Sequence, residues 1–270
     1  MKEKYEVIFV ILVYKNFHDI KKLIPQITAI RPSNHMIIVD SYSNEECSNN
    51  LKKISDDNGC DYLLVENKGY GAGNNRGIKY ALENYIFDFL IVCNADIDIQ
   101  KFPKTMPTDF KGKLIAPLLN TITGKPQNPY WAKENRLAEF LVYKGFKANK
   151  MLISYIGFGL YKIQRILFLK SFKKERHNND VVMAAHGAFV VYSREIFDTI
   201  GLPYDENMFL FAEENLLAHV LKEKKISTIM TKEIQILHHE DGSMNLANVR
   251  QTEERRKSIL YYYEKLYRNK

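Results

Sequence analysis

Asn94-Ala95-Asp96-Ile97-Asp98 sets two carboxylates two residues apart, directly after the apolar run Phe89–Cys93. Carboxylates at the exit of a buried strand can hold a divalent cation that neutralises a diphosphate, and oxygen ligands suit Mg2+ or Mn2+. In isolation an acidic turn reads the same way. Glu213-Glu214 is a second pair, preceded by Tyr204, Phe209 and Phe211. Two acids opening a helix complement its dipole. A carboxyl emerging from an aromatic wall is also placed to act as a general base with a raised pKa. His238-His239 closes a short strand, where a neutral imidazole can add a metal ligand. Asp40 ends another apolar run, and its carboxylate can accept from a base N–H or a ribose hydroxyl, or cap a turn.

Glu66 to Gly77 is glycine-rich and lies between a strand and a helix. Its pattern is GxGxGN, not GxGxxG, and it follows the third strand where a dinucleotide fingerprint follows the first. Gly69, Gly71 and Gly73 permit positive φ and close backbone approach. The paired Asn74 and Asn75 exceed what a plain turn needs.

These residues must be positioned by strand ends. Glu6–Tyr14, Met36–Asp40, Tyr62–Glu66 and Phe89–Cys93 are apolar runs of the kind buried on both faces of a parallel sheet. Helical patterns fall between them at Asp19–Ile30, where Pro25 can kink or shorten the element, at Ser48–Asn58 and at Asn74–Tyr85. Strand–helix alternation predicts an α/β fold with a mostly parallel sheet. Ligands of such sheets bind at the carboxyl ends of the strands. The second half predicts a strand or strand pair at Val181–Ser193, helices at Arg194–Ile200 and Glu213–Glu223, and short strands at Ile226–Met230 and Ile234–His238. A helix is expected over Asn245–Tyr267.

The 270 residues suit one large domain, and 46% hydrophobic with 26% charged residues is a globular balance. Cys47, Cys60 and Cys93 form no CxxC, and the short, broken N-terminal apolar run is no signal peptide. A reducing cytoplasm is the expected setting. The net charge of +7 is uneven. Residues 133–176 hold eleven Lys or Arg against three Glu, residues 249–270 hold seven against three, and the remainder is net acidic. That pattern suits an enzyme docking on something anionic. Within residues 145–176, Met151–Tyr161 is an uncharged apolar run whose eleven residues fall short of the ~20 that span a bilayer. On a helix, Lys162 and Arg165 share one face while Ile163, Ile166 and Leu167 lie on another, as in an interfacial amphipathic helix.

Taken in order, these segments resemble glycosyltransferase family 2, the inverting nucleotide-sugar transferases of GT-A fold, and within it a bacterial rhamnosyltransferase-like branch. The resemblance rests on Leu12-Val13-Tyr14-Lys15-Asn16, Val39-Asp40-Ser41-Tyr42-Ser43, Glu66 to Ile78, and Asn94-Ala95-Asp96. It continues in Gly187-Ala188 with Arg194–Gly201, in Tyr204–Glu214, and in His239 to Ser243. It covers residues 5–245, with 102–180 matching least.

The resemblance implies a single GT-A catalytic domain over 1–248, with a mostly parallel central sheet flanked by helices. Residues 1–100 would be the nucleotide-binding half, 101–180 a variable segment with a basic amphipathic helical insertion, and 181–248 the acceptor and catalytic half. Residues 249–270 would form a basic C-terminal helix. It implies Tyr14, Asp40, Asn67, Gly69, Gly71, Gly73, Asn74, Asn75, Asn94 and Asp96 on the nucleotide sugar, and Gly187 and Ala188 on the acceptor. Asp96, Asp98 and His239 would hold Mg2+ or Mn2+, and Glu214, with Glu213 in reserve, would be the base. The expected reaction moves rhamnose from dTDP-rhamnose, or a hexose from a UDP-sugar, to a polyprenyl-diphosphate-linked glycan in surface-polysaccharide synthesis. The enzyme would sit on the cytoplasmic membrane face, held to anionic lipid by residues 145–176 and 249–270. Oligomeric state is left open, a homo-oligomer included. A nucleotidyltransferase would carry a basic glycine-rich loop after the first strand, and Leu12–Asn16 has no glycine. A nucleic-acid-binding module would use the basic segments, but the acidic remainder and the carboxylates disfavour it.

Overall fold

The computed structural model describes residues 2–30, 32–174, 178–240 and 251–267. A single sheet of nine strands runs through it in the order β3-β2-β1-β4-β8-β6-β9-β5, with β7 pairing β9 off this path. β1 (Lys4–Val13), β2 (Asn34–Ser41), β3 (Asp61–Val65) and β4 (Ile86–Asn94) are mutually parallel. β8 (Phe189–Ser193) is antiparallel to β4 and to β6 (Leu114–Thr121), and β9 (Thr228–His238) runs parallel to β6. β5 (Ile97–Lys101) and β7 (Asn179–Val182) pair antiparallel with β9.

β1 shows why the continuous apolar runs are strands. Val7, Phe9, Ile11 and Val13 enter one core with α1 (Phe17–Ala29) and α2 (Glu45–Asp57). Ile8 and Val10 enter the opposite core with α3 (Tyr70–Asn84). With side chains alternating across the sheet, burial on both faces demands apolar residues at every position. Pro25 neither ends nor shortens α1, because Ile20, Leu23, Ile24 and Ile27 bury the helix across it.

Several expectations are corrected. Residues 101–180, where no strand was expected, contribute β6, a strand between β8 and β9, together with α4 (Arg136–Lys147). The two short strands before His239 are one, β9, with a bulge opposite the step from Pro117 to Leu118. Pro117 has no N–H to give the ladder, which favours an irregularity there. The apolar run from Met151 does not stop at Tyr161: α5 (Met151–Lys174) continues for 24 residues, long and apolar enough to cross a membrane. No proline interrupts it, and Lys162 and Arg165 project from its side without ending it. α5 instead packs on α4 at small residues. A Cβ on Gly157 would meet Ala138 O at 2.6 Å, and Ser154 Oγ donates to Val142 O at 3.1 Å.

The helices α6 (Arg194–Ile200), α7 (Glu213–Glu223) and α8 (Gln251–Tyr267) complete the described chain. α8 lies within the basic C-terminal helix expected over 249–270, and it packs against the body of the protein. It buries Ile259 and Tyr262 in a third core with α4, α5 and α7, and Lys265 pairs with Asp205. Arg256 donates to Phe146 O, and Lys257 pairs with Glu254. Residues 241–250, including Asp241, Gly242 and Ser243 of the expected histidine element and the start expected for this helix, lie outside the described residues, as does Arg176.

Candidate active site

A cleft of about 690 Å3 opens over the carboxyl ends of β1, β2 and β4 and reaches across to α5, α7 and α8. Tyr14, Asn16, Ser41, Asn67 and Gly69 line one end, Asn94 and Asp96 the floor, and Gly187, Ala188, Glu213 and Glu214 the far side. Asp40 lies beneath this surface, 0% exposed. Tyr62 O–H donates to its Oδ2 at 2.7 Å, while its Oδ1 is a buried acceptor with no partner. A lone buried acceptor is costly unless a ligand donor completes it.

Gly71, Gly73, Asn74 and Asn75 do not line the cleft. They belong to α3, which starts four residues before the helix expected at Asn74, and they pack instead of cradling. The Gly69 φ is 103°, and a Cβ there would stand 2.2 Å from Phe209 O; Tyr70 N–H donates to that carbonyl at 2.9 Å. A Cβ on Gly71 would meet Tyr204 Cβ at 2.9 Å. Asn75 pairs with the Tyr204 backbone, donating to its carbonyl at 2.8 Å and accepting from its N–H at 3.3 Å. The glycine-rich segment therefore seats the loop that delivers Glu213 and Glu214. That loop is itself unusual, because Phe211 and Ala212 both take left-handed backbone, φ 72° and 66°. Such conformations cost about 1–2 kcal/mol per residue outside glycine and persist where the surroundings enforce them. Here Ser258 Oγ donates to Leu210 O at 2.7 Å, and Arg255 covers the Phe211 ring at 4.6 Å.

The two glutamates differ in their partners. Glu213 is 3% exposed and its Oε1 has no hydrogen-bond partner; burial and the charge of Glu214 push its pKa from 4.5 up to about 8. Glu214 is also raised by burial, but Gly187 N–H donates to its Oε1 at 3.1 Å and favours the carboxylate. One proton on the pair therefore rests on Glu213 and leaves Glu214 the ionised partner. Space at Gly187 is tight, since a Cβ would stand 2.9 Å from Glu214 Oε1 and would push that carboxylate aside.

At the strand ends the expected metal ligands divide. Asp98 turns away from the cleft to Gln26 at 3.0 Å and His239 at 2.7 Å. Burial alone would raise its pKa, but those two hydrogen bonds prevail and lower it. The histidine beside Asp96 is His238, with Nε2 3.4 Å from Asp96 Oδ1. Gln127 gives its NH2 to Glu240 at 2.8 Å, so its carbonyl oxygen faces His238 Nδ1 at 2.9 Å. Nδ1 then carries a hydrogen, and in the uncharged tautomer the Nε2 lone pair would face Asp96. Among the described residues no group of three or more His, Cys, Asp or Glu converges on one point. A carboxylate and an imidazole lone pair do fit a divalent cation that draws its other ligands from a phosphate and water. Asp96, Asp98 and His239 thus give way to Asp96 and His238 as the residues that would hold one.

Residues 8–101 match the family model for glycosyl transferase family 2. The low-salt glycan biosynthesis hexosyltransferase Agl10 of Haloferax volcanii is 24% identical over 239 residues, which are 86% of this chain and 66% of Agl10. Among solved structures, GalNAc-T7 with UDP, GalNAc and Mn2+ superposes with a TM-score of 0.61 at 13% identity, covering 87% of this chain and 43% of that one. TarS of S. aureus gives 0.52 at 12% identity, covering 87% and 36%. The chain thus spans less than two thirds of each of these proteins. The structural likenesses establish the fold, the α/β architecture of GT-A glycosyltransferases with a mostly parallel mixed sheet flanked by helices.

Several cleft residues carried no chemical signal in the sequence. Trp131 stacks on Tyr161 at 4.7 Å and 3° between planes, with Tyr130 beside it. The adjacent aromatics after Asn128-Pro129 are the signal that would have found them. His186 precedes Gly187 and lines the cleft with Arg165 and Arg255. Burial first, then His238 and Arg165, lower its pKa to about 3, so it is neutral.

Proposed function

We propose that this protein is an inverting, nucleotide-sugar-dependent glycosyltransferase. The observation that carries the reading is one cleft holding Asp96 with His238 on one side and Glu213 with Glu214 on the other. In the reaction, Glu214 accepts the proton of an acceptor hydroxyl as that oxygen bonds to the anomeric carbon from the face opposite the leaving group. The bond from that carbon to the phosphate oxygen breaks, and its electron pair leaves with the nucleoside diphosphate. Gly187 N–H holds Glu214 in line, and protonated Glu213 avoids a second charge beside it. Asp40 Oδ1 takes a base N–H or ribose hydroxyl. Asp96 and His238 would hold Mg2+ or Mn2+, which supplies positive charge to the departing diphosphate.

The donor is a hexosyl or deoxyhexosyl nucleotide. The Agl10 description supports a hexose, and the dTDP-rhamnose expected from the sequence is the second candidate. The acceptor is a lipid-linked glycan of surface-polysaccharide synthesis at the cytoplasmic membrane face. In support, α5 exposes Leu152, Tyr155, Ile156, Ile163, Ile166 and Leu167 on one side, with Lys150 before them and Lys170, Lys173 and Lys174 after. Such a helix suits the interface of an anionic leaflet.

The test is incubation with UDP-, dTDP- and GDP-sugars plus Mn2+, following release of nucleoside diphosphate. Slow release from one of them, nearly abolished by Asp96→Ala and less affected by Asp98→Ala, is expected. If no nucleotide sugar is bound or hydrolysed, the reading is wrong.

A further inference from the structure

α5 has two opposite faces. Its outer stripe is apolar, while Phe158, Tyr161, Lys162 and Arg165 line the cleft. Arg165 is half-buried, and among the described residues no hydrogen bond or ion pair is formed by its side chain; only Tyr130 acts on its charge. A guanidinium carries five N–H donors in a planar fork, and withdrawing it from water without an acceptor is unfavourable. Lys162, one turn earlier, and Arg255, across the cleft on α8, are exposed cations that line the same cleft and pair with no carboxylate among the described residues. Among the described residues, neither Glu213 nor Glu214 on the cleft wall pairs with these three cations.

His186 lines the same cleft, close enough to feel the charge of Arg165, and adds a neutral donor. Its Nδ1 accepts the Ala188 N–H at 3.1 Å, so the hydrogen of the uncharged ring sits on Nε2, which has no described partner. Arg165 is near enough to disfavour the charged imidazole. The arrangement is a planar fork, two further positive charges and a fixed N–H, beside the Tyr130–Trp131–Tyr161 stack. A ligand with one negative charge would leave most of that charge uncompensated. A phosphoryl group offers several acceptor oxygens and more than one charge, the geometry an arginine fork matches.

We propose that Arg165, with Lys162, Arg255 and the Nε2–H of His186, forms a diphosphate-binding subsite that α5 and α8 contribute to the cleft. The subsite stands on these residues alone; only the source of the diphosphate rests on the glycosyltransferase reading. It belongs either to the departing nucleotide or to a lipid-linked acceptor.

The test titrates the full chain with inorganic pyrophosphate by calorimetry, in EDTA and low salt so that no cation bridges to Asp96. Wild type should bind, and Arg165→Gln should bind about tenfold or more weakly, as for loss of a charge-assisted hydrogen bond. Arg165→Lys should recover only part, because an ammonium keeps the charge and loses the fork. Lys79→Gln, on the exposed side of α3, should bind as wild type does, and melting curves confirm that each variant is folded. Parallel titrations assign the source. Weakening of UDP binding alone points to the donor, weakening of farnesyl diphosphate binding alone to the acceptor, and either supports the subsite. Undiminished pyrophosphate binding in Arg165→Gln, or none in wild type, overturns it. Should no nucleotide sugar be turned over while Arg165→Gln still loses pyrophosphate, the glycosyltransferase reading falls and the subsite stands.

Discussion

At Glu213 and Glu214 a buried and a half-buried carboxyl group lie side by side, and only Glu214 receives a backbone N–H from across the cleft. Glu214→Gln should keep donor binding and lose turnover by at least ~10²-fold, measured as kcat on the donor that wild type hydrolyses. Glu213→Gln should keep most turnover; the reverse pattern would exchange the two roles. Glu213 also links stability to pH. Its carboxyl titrates near 4.5 when exposed and at about 8 in the fold. Between those values the unfolded chain has lost a proton that the folded chain retains, so stability is full below 4.5 and declines as pH rises through 8. Melting temperature followed from pH 5 to 9 should fall less in Glu213→Gln than in wild type. Much of this site was readable residue by residue, because Asp96, Glu213 and Glu214 stand at element ends. Choosing between His238 and His239 was not. Neighbours along a strand point to opposite sides of the sheet, and nothing in two adjacent histidines says which side holds the cleft.

The strands of the first half were legible because burial on both faces leaves a run without polar gaps, as in Val7–Ile11. β5 and β6 escaped notice for the converse reason: Asp98 and Gln100 interrupt one and Pro117 the other. α3 was read four residues short, because glycines lower helix propensity while their value here is tertiary. That value differs along the helix. A Cβ on Gly77 would meet Val10 Cγ1 at 2.4 Å and Val39 Cγ2 at 2.7 Å, both on stiff β-branched side chains. On Gly73 it would meet Leu12 Cδ1 at 2.5 Å, the mobile end of its side chain. Gly77→Ala should therefore cost about 1–3 kcal/mol in urea unfolding, as overpacking does, and Gly73→Ala less. Equal costs would mean that the helix shifts as a unit.

For the whole molecule, the unequal distribution of charge and the outer stripe of α5 point to the same surface. Leu152 is 75% and Leu167 62% exposed, far from the behaviour of core residues. Sedimentation with liposomes should show binding that requires anionic lipid and weakens with salt. Replacing Lys170, Lys173 and Lys174 by Ser should reduce it, and replacing Ile163, Ile166 and Leu167 by Ser should abolish it without changing the melting temperature. Wild-type protein left in the supernatant at low salt would remove the membrane from the account. The two faces of α5 around Lys162 and Arg165 were legible in the sequence, but not that the charged face turns to the cleft, since spacing along a helix does not say what lies beside it.

The antiparallel step from β4 to β8 has a consequence for the growing polypeptide. Cys93 pairs with Phe189, so the edge of β4 emerges long before its neighbour exists. At about 5–20 residues per second, synthesis leaves that edge open for roughly 5–20 seconds. During that interval β1 to β4 form an apolar ladder whose unpaired backbone can recruit another nascent chain. Yield in a cell should thus depend on chaperone capacity and translation speed more than the melting temperature of the finished protein would suggest.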